Sequence, residues 1–286
     1  MVPSFAAMNG LRRALIVVGI LAILAYGGAI VWLVTQETRI VFDAGRPLGD
    51  LRPASPFEEV WLDRGEDPRQ RLWVVRAAAE PAARPWVLYL HGNASNIATR
   101  LNILHAEKLR ALGLNVLVAE YRGFGGMDGV PTESGLNADA RTAYDYLRQQ
   151  LHAEPPRIIV YGWSLGSAVA VDLVSRVDEA AVILEGAPAS LVAIGARRYP
   201  YFPIRLLIRN PFESIRKIDR IGSPVLFLHS PEDAIIPFEE GRRLYNAAPA
   251  PKQFVEVSGG HIYASERDPR FFPAVRAFLQ AHRLLP

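Results

Sequence analysis

The chain has 286 residues, half of them hydrophobic, and a formal net charge of +3, a length that supports one large or two small domains with a substantial core. Its lysines are Lys108, Lys217 and Lys252, its arginines are scattered, and no basic cluster marks a nucleic-acid face. The absence of cysteine excludes disulfides, a thiol nucleophile and Cys-based zinc sites.

A short N-terminal segment, residues 1–13, ends in Arg12-Arg13. Residues 14–34 then run without a charge, about 31 Å of helix at 1.5 Å per residue, which is enough to cross a hydrocarbon core. Trp32 lies near one end, where an interfacial ring would sit, and Glu37 and Arg39 follow. A cleaved signal peptide ending near Ala25-Tyr26-Gly27 and a buried helix are the competing readings. The apolar run continues well past that cleavage site, so an uncleaved single-pass anchor is expected. The two arginines put the N-terminus in the cytoplasm and the rest of the chain on the periplasmic or outer side. Residues 35–57, with Pro47, Pro53 and Pro56, read as a linker, and residues 58–286 as one domain.

Glu58–Leu62 and Arg71–Arg76 alternate and flank a Gly-Glu-Asp-Pro turn, the pattern of a hairpin. Beyond it, short apolar runs at 86–90, 115–119, 157–161, 181–185, 224–229 and 253–257 predict strands. Between them, stretches at about 97–112, 133–151, 165–177, 238–247 and 269–282 predict helices. Alternation of this kind implies an α/β architecture with a mostly parallel sheet covered on both faces. Residues of about 188–221 interrupt it with an aromatic, Arg-rich segment. That segment is read as a small cap or pocket wall, with a helical connection packed on the sheet as the alternative.

The chemistry centres on Gly162-Trp163-Ser164-Leu165-Gly166, where an apolar strand meets a helix. A serine on such a turn stands clear of the sheet, next to the positive end of a helix. It needs a base to attack at neutral pH, and the base needs a carboxylate. Asp233, in the loop after the 224–229 strand, is the expected acid, with Glu232 and Glu185 as rivals. His261, reached through Gly259-Gly260 after the last strand, is the expected base. The oxyanion would be met by backbone N–H groups of Leu165 and of the His91-Gly92-Asn93 turn. Asn93 is the expected donor there and Ala94 the alternative. His91 and His229 end strands and are read as bonding loops near the site; His105, His152 and His282 are read as solvent-facing or half-buried. No His/Asp/Glu spacing suggests a metal, and Arg122-Gly123-Phe124-Gly125-Gly126 lacks the lysine and hydroxyl of a phosphate loop, so no metal or other cofactor is expected.

Leu90-His91-Gly92-Asn93-Ala94-Ser95-Asn96, Glu120-Tyr121-Arg122-Gly123-Phe124-Gly125, the Gly-x-Ser-x-Gly turn, Pro224–Pro237 and Gly259-Gly260-His261 together resemble the α/β-hydrolase family. The resemblance is to its membrane-anchored serine-hydrolase branch, over roughly residues 58–285. It implies the α/β-hydrolase fold, Ser164 as nucleophile, Asp233 as acid, His261 as base, and oxyanion donors at Asn93 and Leu165. It implies a pocket role for Tyr121; the aromatic composition of the cap adds Tyr199 and Phe202. Ser230 departs from a pattern that commonly has glycine. The expected activity is cleavage of a carboxylic ester or thioester of a small or lipid-like acyl substrate. A small-peptide serine peptidase and a non-catalytic binding module are the alternatives.

Overall fold

The computed structural model describes residues 5–286, so residues 1–4 of the N-terminal segment lie outside the described part. Helix α1 (Phe5–Phe42) overruns both ends of the uncharged stretch and takes in Glu37 and Arg39, which the sequence reading assigned to the linker. Pro47 is the first proline after the stretch, so nothing breaks the helix earlier; Asp43, at φ 40°, turns the chain out of it. From Arg12 to Phe42 this helix is long and apolar enough to cross a membrane.

The domain is built on one eight-stranded sheet in the order β1-β2-β4-β3-β5-β6-β7-β8. Strands β1 (Phe57–Arg64) and β2 (Asp67–Val75) form the antiparallel hairpin, and β2 pairs antiparallel with β4 (Asn115–Ala119). Then β3 (Trp86–Leu90), β5 (Ile158–Trp163), β6 (Ala181–Glu185), β7 (Val225–His229) and β8 (Lys252–Glu256) continue it in parallel.

The central strands are apolar on both faces because both faces are covered. In β5, Ile158 and Val160 enter one core, with Leu136 and Ala140 of α3 (Glu133–Gln149) and Val169 of α4 (Leu165–Val174). Ile159 and Tyr161 enter the other, with Leu101 and Leu109 of α2 (Arg100–Ala111) and Phe278 near the C-terminus. Each such aliphatic or Phe side chain, fully buried, contributes about 1.5–3 kcal/mol.

The 188–221 segment divides. Its first half forms α5 (Leu191–Arg198) and α6 (Ile204–Leu207), which pack on each other and face α1. Its second half makes two single 3-10 turns whose Ile218, with Ile221 just beyond, is buried in the core. The first half, α5 and α6, is the part of the expected cap segment that lies against α1, and the second half runs as a connection into the core. Helix α7 (Phe238–Ala247) precedes β8; after β8 comes α8 (Gly260–Arg267), which the sequence reading did not anticipate, and then α9 (Phe271–Ala281).

Candidate active site

The sheet order changes direction at β3: the chain runs from β3 out to β4, then returns to add β5 on the other side. Loops leaving the ends of strands at such a point diverge and open a crevice. Leu90 pairs in register with Gly162, so the His91–Asn93 turn and the Ser164 turn lie side by side there.

Ser164 has φ 54° and ψ −119°, a conformation that costs a non-glycine residue roughly 1–3 kcal/mol and is held by its surroundings. Its N–H donates to the Glu185 carbonyl at 2.8 Å, and the Ser167 hydroxyl donates to the Gly162 and Glu185 carbonyls at 2.6 and 3.0 Å. The flanking glycines are steric necessities. A Cβ on Gly162 would lie 2.4 Å from the Gly166 carbonyl, and one on Gly166 would lie 2.1 Å from the Leu90 carbonyl.

The structure brings three of the sequence-predicted residues into a hydrogen-bonded chain. Asp233 Oδ2 lies 2.7 Å from His261 Nδ1, and His261 Nε2 lies 2.8 Å from Ser164 Oγ. Burial pushes the Asp233 carboxyl up. Hydrogen bonds from His229, His261 and the Ile236 N–H outweigh it and hold the carboxyl below the usual carboxylate range. An ionised carboxylate only accepts, so the His261 proton sits on Nδ1 and Nε2 is free to accept from the serine hydroxyl. The second carboxylate oxygen accepts from the Ile235 and Ile236 N–H groups at 2.9 and 2.8 Å.

His261 stands in the first turn of α8, after Gly259 (φ 105°) and Gly260 (φ 68°). Ser230 Oγ accepts from the Gly260 N–H at 3.1 Å, and Ser230 has no positive φ, so the departure from glycine supplies an anchor for the histidine loop. Neither rival acid reaches His261. The Glu232 carboxylate accepts from the Gly259 N–H at 3.3 Å, and Glu185 is buried against Tyr161 and His105. His105 is therefore fully buried, contrary to the sequence reading, because its Nε2 pairs with Glu185 at 2.8 Å. His91, in the turn after β3, pairs with Glu120 at 2.8 Å, and His229 lies 3.3 Å from Asp233.

In that turn the Ala94 N–H already donates to the Phe42 carbonyl of α1 at 3.0 Å, which removes Ala94 as a donor to substrate. The Asn93 side chain donates to the Val41 carbonyl at 3.2 Å. The C-terminal end of α1 thus braces the turn directly.

A cavity of about 400 Å³, in the range for small-molecule pockets, reaches this site at Asn93, Ile235 and Ile236. Its lining is mostly aliphatic. Leu33, Val34 and Val41 of α1 form one wall, and Ile194, Tyr199 and Ile204 of the cap form another. Of the residues expected to line a pocket, Tyr199 does so and Tyr121 and Phe202 do not. Tyr121 is fully buried, with its ring 4.6 Å from that of His91, because the turn after β4 points inward. Phe202 stacks on Tyr26 of α1 at 5.6 Å and faces that helix. Arg122, in the same Tyr-Arg-Gly segment, clamps buried Asp139 through its backbone and guanidinium. Among the described residues, no group of three or more His, Asp or Glu could hold a metal.

Sequence reasoning missed Gly186, whose added Cβ would lie 3.2 Å from His261 Nδ1 and Cε1, and the α1 wall. No spacing rule points to a glycine after the neighbouring strand. The prolines at 47, 53 and 56 mark residues 35–57 as a linker, yet the helix continues to Phe42 before the first of them.

A family model described as serine aminopeptidase, S33, matches residues 81–209. The uncharacterised protein Rv2307c of Mycobacterium tuberculosis is 36% identical over 271 residues, covering 93% of this chain and 95% of that one. Lysophosphatidylserine lipase ABHD12 of Danio rerio is 31% identical over 186 residues, 58% of this chain and 48% of that one. The Pyrococcus furiosus esterase Pf2001 superposes with a TM-score of 0.69 at 18% identity, over 84% of this chain and 97% of that one, a likeness of fold. With the sheet order, the serine turn and these relatives in agreement, the chain belongs to the α/β-hydrolase family.

Proposed function

We propose that this chain is a membrane-tethered serine hydrolase that cleaves a carboxylic ester or thioester with an apolar acyl group. The observation that carries the reading is the Ser164–His261–Asp233 chain at 2.8 and 2.7 Å. Ser164 Oγ attacks the acyl carbonyl while His261 Nε2 takes its proton. The oxyanion is met by the Asn93 and Leu165 N–H groups, and removing one such donor typically costs about 10²–10³ in rate. The tetrahedral adduct collapses, the C–O or C–S bond breaks, and the alcohol or thiol leaves with the proton from His261. Water, deprotonated by the same imidazole, then frees the acid from the acyl-enzyme. Residues 14–34 anchor the chain. Arg12 and Arg13 favour a cytoplasmic N-terminus with the catalytic domain, residues 58–286, across the membrane.

The family model's description favours a second reading, a peptidase acting on small peptides. Such an enzyme needs a carboxylate for the substrate amine. The carboxylate in the cavity wall, Glu37, already accepts from Arg209 and Asn210, which favours an uncharged acyl group. The test is the full chain in detergent with p-nitrophenyl esters of increasing acyl length and with amino-acid p-nitroanilides. Ester turnover that rises with chain length supports the proposal; anilide turnover with none on esters overturns it.

A further inference from the structure

The cap does not meet α1 above the membrane-length run; it meets it part-way along. The Tyr26 hydroxyl donates to the Tyr201 carbonyl at 2.8 Å, and its ring stacks on Phe202. From Ala29 onward one face of α1 is covered by the domain, with Leu33 and Glu37 buried, while Val31, Trp32 and Thr35 stay exposed on the other. Only Ala14–Ala25 of the uncharged run precedes the contact, about 18 Å of helix. A hydrocarbon core is about 30 Å thick, so roughly 12 Å of it remains to be crossed at the level of Tyr201.

Sliding the helix to shorten that gap would draw Arg12 and Arg13 toward the bilayer centre, at about 2.5–3.5 kcal/mol each. The next charged contact up the helix, Glu37 with Arg209, lies about 16 Å beyond Tyr26, where headgroups would be. Between these two levels large apolar side chains face out among arginines. Tyr201 and Leu206 are each 85% exposed, and the adjoining α1 face presents Val31 and Trp32. Arg197, Arg198 and Arg205 are exposed around this tip, and their long stems allow the guanidinium groups to reach headgroup phosphates.

We infer that the cap tip, residues 199–206, is a second membrane-embedded element, and that its partner is the hydrocarbon of the leaflet into which α1 enters. The occupant follows from continuity with α1 and from the unfilled part of the span. The inference rests on α1 as the anchor and is independent of the catalytic reading. It also sets the aliphatic cavity, walled by α1 and the cap, beside the acyl chains of the leaflet.

The chain's lack of cysteine makes the test direct. Single-cysteine variants Tyr201→Cys, Leu206→Cys, Leu24→Cys and Ala82→Cys of the full chain are labelled with a nitrobenzoxadiazole fluorophore. They are placed in phosphatidylcholine nanodiscs containing lipid with a nitroxide on the acyl chain. All four sites are exposed, so the fold is retained. The expected result is quenching at 201 and 206 comparable to that at 24 and at least about threefold that at 82, in the loop before β3. Quenching at 24 with 201 and 206 as weak as 82 would overturn the inference while leaving the anchor intact. Absence of quenching at 24 would overturn both.

Discussion

Gly186 offers a perturbation of the triad that touches none of its members. Gly186→Ala places a Cβ 3.2 Å from both Nδ1 and Cε1 of His261 and 3.6 Å from Asp233 Oδ2. The imidazole is already held at 2.7 Å on one side and 2.8 Å on the other, so it yields a few tenths of an ångström only by lengthening one bond. Misplacement of about 1 Å costs about 10²-fold in rate, so a smaller shift should lower kcat/KM for p-nitrophenyl butyrate about 10- to 100-fold, or 1.4–2.7 kcal/mol. Gly186 also has φ 55°, and alanine there costs about 1–2 kcal/mol of stability. Gly222→Ala, with no atom within reach of the added Cβ, is the control for both readouts. A Gly186→Ala protein that melts earlier but hydrolyses at the parent rate would refute the claim that His261 geometry limits the reaction.

Asp233→Asn removes the acceptor that fixes the His261 tautomer, and kcat should fall about 10³- to 10⁴-fold with the far-UV spectrum unchanged. Glu179, raised by burial from 4.5 to about 7 despite the Ser223 hydrogen bond, should make stability fall as pH rises through that window. Its folded value exceeds its unfolded one, so the favourable contribution is complete below 4.5 and lost by about 7. Chemical denaturation of Glu179→Gln should lack that decline, which totals on the order of 3 kcal/mol. Glu37→Ala strands the Arg209 and Asn210 donors, one of them on a buried side chain, and should destabilise by about 1–3 kcal/mol. Because Glu37 ties the cap to the cavity's α1 wall, KM for long acyl esters should rise in that variant while kcat on p-nitrophenyl acetate holds.

The fold was legible wherever both faces of a strand are buried, because runs such as Ile158–Tyr161 carry β-branched and aromatic residues without alternation. The Ser164 turn was legible for a steric reason, since its glycines answer to backbone atoms within one strand–helix unit. What was not legible depends on contacts between distant segments. Tyr121 reads as a pocket residue in its motif, but its orientation is set by packing on His91 across two strands. His105 reads as a helix-surface residue until Glu185 of β6 is placed opposite it. Likewise, α1 reads as an anchor followed by a linker. Its last turns become a wall of the cavity only because Glu37 is claimed by Arg209 and Asn210, far along the chain.

The most direct test of the central claim is covalent labelling of the full-length protein with a fluorophosphonate probe, beside Ser164→Ala. An activated serine phosphonylates, whereas an ordinary one does not, because the free hydroxyl is too weak a nucleophile. The account predicts labelling of the parent chain at Ser164 and none of the variant. Absence of labelling in the folded parent, or equal labelling of both, would contradict it.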